Sequence, residues 1–284
     1  MMAESALDDP VRGRQVVALR GGLGNQLFQF SYARYLAREG KPVYLDLSCV
    51  RHGNPAIFDV PRIGELARQM ALPVTRFFPS PSGRLPGIGR LLRKVVRPGR
   101  IVLDESAQGF ESGLRSTSAW WFGYWQRLRY AEEIVPLLRA GMTAADSGMI
   151  DPRRCAVARI HVRRGDYVGN SWALDPDWYK RALDMVYEVS SGAIETEIVT
   201  NDPGWCTENL DLGRAFRVLP TGSPLEDIRT LASSDFLIIS RSTFSWWAAA
   251  ISDAVVIAPD PWFPSRSRDE SADMLPSKWL LCAA

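Results

Sequence analysis

The chain is poor in the residues from which metal centres and cross-linked scaffolds are built. Its 284 residues include two histidines, His52 and His161, and four cysteines, Cys49, Cys155, Cys206 and Cys282. The cysteines show neither CxxC nor CxxxC spacing, so no disulfide framework or zinc site is expected, and reduced buried thiols are the simpler reading. No apolar run approaches the roughly 20 residues of a membrane-spanning helix. Met1 to Arg14 also lacks an apolar stretch behind a basic cap. The expectation is a cytoplasmic protein, neither secreted nor anchored by a helix. A net charge of +2 leaves no footprint for nucleic acid.

What is present is the balance of a soluble globular protein, 46% hydrophobic and 23% charged. The length suits two domains of ordinary size, each able to bury a core. The segment Gln15 to Leu19 reads as a strand that runs into Gly21-Gly22-Leu23-Gly24-Asn25-Gln26. A helix follows, with Leu27, Phe28, Tyr32, Tyr35 and Leu36 near the 3.6 period, closed by Gly40 and Pro42. Val43 to Leu47 then reads as a second strand, and this βαβ opening predicts a parallel sheet.

From Pro79 onward prolines and glycines break any long element, while Arg84, Arg90, Arg93, Lys94, Arg97 and Arg100 stand without an acidic residue. The segment Arg84 to Arg100 is either a solvated cationic face or a peripheral contact for anionic lipid or a lipid-linked acceptor. Trp120 to Gln126 reads as an aromatic strand and Ala131 to Met142 as a helix. Turn residues cluster between Gly141 and Arg154, which places the domain boundary there, dividing the chain into 1–150 and 151–284.

The second half alternates strands with helices. Strands are expected at Cys155 to Val162, Glu197 to Thr200, Phe216 to Leu219, Phe236 to Ser240 and Val255 to Ala258. Helices are expected at Asp177 to Ser190, Gly204 to Leu210, Leu225 to Ser233 and Phe244 to Ser252. Such alternation predicts a doubly wound α/β sheet whose ligand lies beyond the carboxyl ends of its strands.

The distinctive motifs fall at those strand ends. In His161-Val162-Arg163-Arg164-Gly165-Asp166-Tyr167 two adjacent arginines close an apolar strand. A guanidinium taken from water demands an anion and offers a fork suited to phosphate, so a diphosphate is the natural partner. The bland alternative is a structural pair with Asp166, most simply through Arg164. Ser240 to Trp247 is again a strand end running into a helix, where Ser242, Thr243 and the Phe244 amide suit an anion, or merely cap the helix. Asp227 is either a first-turn carboxylate or an acceptor for N1–H and N2–H of guanine. Asn201 and Asp202 either reach ribose or base, or make the turn before Pro203. On the glycine turn, Gly22, Asn25 and Gln26 allow close backbone approach and offer amides across a cleft.

Two other chemistries match parts of the sequence. The glycine turn and Asp46, about 20 residues on, would suit an NAD-dependent oxidoreductase, but Leu27 stands where the third glycine of GxGxxG belongs. Asp175-Pro176-Asp177 has the spacing of a metal-binding DxD, yet its setting is that of an N-cap with proline at the first helical position. A non-catalytic sugar- or nucleotide-binding protein is the third alternative.

The segments GGLGNQLFQFSYARYLA (Gly21 to Ala37), FGYWQ (Phe122 to Gln126), HVRRGDY (His161 to Tyr167), VTND (Val199 to Asp202), LEDIRTLASSDFLIISRSTFSWWAA (Leu225 to Ala249) and KW (Lys278 to Trp279) resemble glycosyltransferase family 11, the alpha-1,2-fucosyltransferases. The resemblance implies a GT-B architecture, two Rossmann-like domains facing across a cleft, with an acceptor-side first half and a donor-binding second half. It implies GDP-fucose as donor, a galactose-containing glycan as acceptor, inversion at the anomeric carbon, no metal and no other cofactor. By position, Arg163 and Arg164 resemble the diphosphate clamp, His161 a donor-site neighbour and Asp227 the guanine reader. Ser242, Thr243 and Phe244 fall at the diphosphate, and Gly22, Asn25 and Gln26 on the loop across the cleft. Asp166 is the first candidate for a general base. Arg241 departs from the family, which often has a small or amide residue there.

Overall fold

A computed structural model of the chain describes residues 15–38, 43–50, 57, 64–65, 74–75, 100–103, 119–143, 155–264 and 273–284. Two parallel sheets organise it. The first has the order β3-β2-β1-β5-β4, built from β1 (Gln15–Arg20), β2 (Val43–Cys49), β3 (Val74–Thr75), β4 (Arg100–Leu103) and β5 (Ala119–Phe122). The second has the order β11-β10-β9-β6-β7-β8, from β6 (Ala156–Val162), β7 (Ile194–Thr200), β8 (Arg217–Val218), β9 (Phe236–Ile238), β10 (Val255–Asp260) and β11 (Leu280–Ala283). Counted from β6, the second order is that of the doubly wound dinucleotide fold, with its reversal point between β6 and β9. The first sheet reverses between β1 and β5. Two Rossmann-like sheets are what the GT-B expectation requires. The residues on which the expected domain boundary falls, 144–154, lie outside the described ones, as does the basic segment apart from Arg100, which opens β4.

The helices begin where local chemistry starts them. Beside α1 (Leu23–Ala37), the first half has α2 (Leu128–Ala131) and α3 (Val135–Thr143); the second has α4 (Asp166–Gly169), α5 (Pro176–Val189), α6 (Pro203–Asn209), α7 (Pro224–Ala232) and α8 (Thr243–Ile251). Asp175, Asp202 and Ser223 each cap a helix whose first residue is proline. Proline lacks an N–H that would have had no intrahelical partner there, and its φ is already helical. Each of these helices therefore starts one residue before the periodic pattern does. Ser223 and Glu226 complete a capping box on α7.

Other departures are equally local. The aromatic strand stops at Phe122, because Trp125 adopts φ 55 and stacks its ring on Tyr32 at 4.1 Å. The expected helix over Ala131 to Met142 is two pieces, α2 and α3, and β11 is an additional strand.

The halves are joined by a shared apolar core. Phe28 of α1 lies 4.7 Å from the Trp246 ring and 4.9 Å from Trp247 of α8. Arg139 of α3 pairs with Asp253 at 2.6 Å and donates to the Ser252 carbonyl at 2.9 Å, near the C-terminal end of α8. After β10 the chain returns to the first half, where the Asp273 carbonyl accepts from Leu128 N at 2.8 Å.

Candidate active site

The site forms around the reversal point of the second sheet. His161, next to last in β6, and Ser240, just beyond β9, share a 2.8 Å hydrogen bond between Nδ1 and Oγ. The imidazole is buried and lies 5.8 Å from the Phe244 ring. Burial, reinforced by the Arg163 charge, pushes its pKa down to about 3, so the ring is neutral near pH 7.

The two adjacent arginines separate at the strand end. Arg163 donates from Nη2 to Asp166 Oδ1 at 2.9 Å, and its guanidinium carbon lies 5.3 Å from the Tyr167 ring centroid. Arg164 turns toward β7: its guanidinium carbon is 3.6 Å from the Trp205 ring centroid, its Nε is 3.8 Å from Asp202 Oδ2, and its backbone N–H is accepted by Asn201 Oδ1 at 2.9 Å. Gly165, at φ 66, makes the turn that puts Asp166 under Arg163. The expected pairing of Asp166 with Arg164 is thereby corrected. Arg163 Nε and Arg164 Nε are both buried with no hydrogen-bond acceptor. A buried N–H of this kind costs free energy until an acceptor arrives.

Tyr167 lies between the arginine and the helix cap. Burial raises its pKa, Arg163 opposes that rise, and Ser242, Asp166 and Tyr124 are its other electrostatic neighbours. Tyr124 belongs to the first half, so the halves meet at this point. Ser242 is buried and caps α8, its Oγ accepting from Phe244 N at 3.3 Å.

Two of the residues expected to face the donor from across the cleft, Asn25 and Gln26, have hydrogen-bond partners within the chain. Asn25 Oδ1 accepts from Thr243 Oγ1 at 3.1 Å and from Gln126 Nε2 at 2.9 Å, so Asn25 and Thr243 are engaged with each other. A Cβ on Gly24 would lie 2.6 Å from Phe244 N; the first turn of α1 therefore covers the first turn of α8. Gln26 is fully buried, with Nε2 donating to the Gly21 carbonyl at 3.0 Å and Oε1 accepting from Ile57 N at 2.8 Å. It holds the glycine turn, whose inward carbonyl needs a donor. Gly22 is exposed, with nothing within 4 Å of where a Cβ would stand.

Asp227 is half-buried at the start of α7, where Oδ1 accepts from Gly222 N at 3.0 Å. Burial raises its pKa against that hydrogen bond. Asp202 caps α6 through Trp205 N at 3.3 Å, so both Asn201 and Asp202 have structural work. Asp175 caps α5 through Trp178 N at 2.7 Å, as its setting implied. Asp46 is fully buried within β2, away from the exposed strand end that a ribose-binding carboxylate occupies. Arg241 is buried, donates from Nε to the Pro261 carbonyl at 3.2 Å, and has Tyr179 and Asp175 as electrostatic neighbours. It thus ties the ends of β9 and β10 to α5.

Sequence reasoning left out Arg20 and Tyr124. Arg20 Nη2 donates to the Tyr124 hydroxyl at 3.0 Å, with the guanidinium carbon 4.7 Å from the ring centroids of both Phe122 and Tyr124. The strand-end rule that identified Arg163, applied to β1, would have found Arg20.

Comparison with known proteins adds four findings. The family model described as Glycosyl transferase family 11 matches residues 103–282. The chain is similar to an alpha-1,2-colitosyltransferase of Escherichia coli, 25% identical over 93% of this chain and 97% of that one. It is also similar to galactoside alpha-(1,2)-fucosyltransferase 2 of Rattus norvegicus, 32% identical over 40% of this chain and 36% of the relative. Among solved structures, the alpha-1,6-fucosyltransferase NodZ soaked with GDP-fucose aligns over 89% of this chain and 97% of NodZ, with 13% identity and a TM-score of 0.49.

Proposed function

The chain belongs to glycosyltransferase family 11, and from that membership we propose that it transfers fucose from GDP-fucose to a galactosyl hydroxyl of an oligosaccharide or glycan. Transfer proceeds with inversion, forms an alpha-1,2 linkage and needs no metal. The observation that carries this reading is the pair of buried guanidinium N–H groups without acceptors at the end of β6, in the crevice where a doubly wound sheet receives its ligand. The domain expectation stands within the same proposal: 151–284 holds the donor and 1–150 the acceptor.

As the glycosidic bond stretches, negative charge gathers on the departing β-phosphate and positive charge on the sugar ring. Guanidiniums fixed at that oxygen stabilise the transition state more than the ground state, which lowers the barrier. In this reading Arg163 neutralises the leaving group, and Arg164, held flat on Trp205, takes a second phosphate oxygen. Neutral His161 and Ser242 line the pocket without adding charge, and Gly22 lets the donor approach the first half. The Phe244 ring walls the pocket beside His161. Asp227 keeps Oδ2 for the guanine edge, while Asn201 and Asp202 border the ribose from the end of β7. Asp166 accepts the acceptor's proton, since among the described residues it is the carboxylate paired with Arg163.

A second donor reading has support of its own: the relative matched over nearly the whole chain is named for colitose transfer. Release of the nucleoside diphosphate from GDP-fucose, GDP-colitose, GDP-mannose and UDP-galactose, each with and without a galactosyl acceptor, tests both. GDP-fucose is expected to turn over fastest. Preference for GDP-colitose would replace the sugar, and preference for UDP-galactose would overturn the donor assignment.

Among the described residues no helix is long and apolar enough to cross a membrane. A cytoplasmic location, with peripheral contact through the Arg84 to Arg100 segment, belongs to the proposal.

A further inference from the structure

The first sheet has a crevice of its own. β1 is flanked by β2 on one side and β5 on the other, so the chain leaves β1 in one direction and returns on its opposite flank. Ligands of open α/β sheets bind beyond the carboxyl ends of the strands at such a reversal. Arg20 ends β1, and Tyr124 follows β5 by two residues.

One buried side chain fixes both strand ends. Gln29 accepts the Arg20 main-chain N–H through Oε1 at 2.8 Å and donates to the Gly123 carbonyl through Nε2 at 2.9 Å. The guanidinium sits over two aromatic rings and gives a hydrogen bond to the Tyr124 hydroxyl. Among the described residues no carboxylate lies within ion-pair distance of it. Tyr124 in turn neighbours Tyr167 electrostatically, as Arg163 and Asp166 do.

Resting on the fucosyl-transfer reading, we propose that Arg20 and Tyr124 form an acceptor-side subsite that selects glycans carrying a carboxylate close to the hydroxyl that is fucosylated. This half-buried guanidinium has aromatic neighbours and, among the described residues, no counter-ion, and its remaining N–H groups match a planar oxyanion. Phe122 and Tyr124 supply apolar ring surface for the sugar itself. The oxyanion in this cleft has two sources, the acceptor's carboxylate and the donor's diphosphate, and the experiment separates them.

The test uses the full chain and two probes, a galactosyl-glucose disaccharide and the matching galactosyl-glucuronate, which differ in one carboxylate. Binding of each is measured by calorimetry without donor, and transfer is measured separately with GDP-fucose. The carboxylated probe is expected to bind and react at least about tenfold better, the effect of roughly 1.4 kcal/mol. Arg20→Gln should erase that preference through the acceptor KM while the donor KM moves less than about twofold, and Arg20→Lys should retain part of it. Equal binding of the two probes overturns the subsite. A raised donor KM in Arg20→Gln with the preference intact also overturns it, and gives the arginine to the diphosphate. A chain that binds the carboxylated probe through Arg20 yet releases no GDP keeps the subsite and removes the fucosyl-transfer reading instead.

Discussion

His161 and Ser240, 79 residues apart in sequence, are held by one 2.8 Å hydrogen bond that bridges the reversal between β6 and β9. The bond fixes the floor of the crevice immediately beneath Arg163, and it does so with a neutral ring. Placing a further full positive charge there would add repulsion to the arginines, which burial of the imidazole avoids.

That burial makes acid stability a test. An unfolded histidine ionises near 6.5, whereas His161 is held at about 3. The folded pKa is depressed, so this histidine costs nothing above about pH 6.5, and stability is lost as pH falls from there toward 3. The slope for one proton is about 1.4 kcal/mol per pH unit. His161→Gln should therefore show a flatter decline of Tm than wild type between about pH 6.5 and pH 4. Parallel declines would refute the buried neutral ring.

Arg163→Ala, purified and folded, is expected to lose at least about 100-fold in kcat/KM, roughly 3 kcal/mol of transition-state stabilisation. Steady-state kinetics within about threefold of wild type would remove Arg163 from the leaving-group role.

Asp166→Asn separates the base from the mere partner of Arg163. Loss of at least about 100-fold in kcat, together with loss of the acidic limb of the pH–rate profile, is the expected result. Retained turnover with that limb unchanged would leave Asp166 the positioning of Arg163 alone.

Gly24→Ala probes the contact between the halves. The new methyl would stand 2.6 Å from backbone atoms of Thr243 and Phe244, so α1 and α8 must move apart. Overpacking of this kind costs about 1–3 kcal/mol, read as a lowered Tm. Gly22→Ala, with open space at its Cβ position, is the matched control and should leave Tm nearly unchanged.

Asp227→Asn should raise the KM for GDP-fucose by about tenfold with little change in kcat, since the contact is made equally in ground and transition states. GDP and ADP should then inhibit with closer affinities than they do in wild type. Unaltered discrimination between the two nucleotides would return Asp227 to its capping of the Gly222 turn.

Much of this was legible in the residues themselves. Strand ends with arginines, capped helices and a glycine turn are local features: a cap, a φ angle or a 3.6 period is decided within a few positions. That is why His161 to Tyr167 falls at a strand end as its pattern implies, and why the expected starts of three helices are each off by a single proline. Side-chain direction was not legible. Asn25 and Thr243 carry the right chemistry for a donor, yet they bond to each other, because the approach of α1 to α8 is set by Gly24, Phe28, Trp246 and Trp247 together. Gln26 turned inward for the same kind of reason.

The sequence by itself determined the parallel α/β class, the strand-end position of the arginines and the family. Tertiary structure decided how Arg163 and Arg164 part company, one toward Asp166 and the other onto Trp205, and brought Arg20 beside Tyr124 across 104 residues of chain. Periodicity and capping follow from short-range sterics and hydrogen bonding, which neighbours in sequence control. The partner of a charged side chain follows from which strands lie adjacent, and that depends on burying the whole apolar core at once.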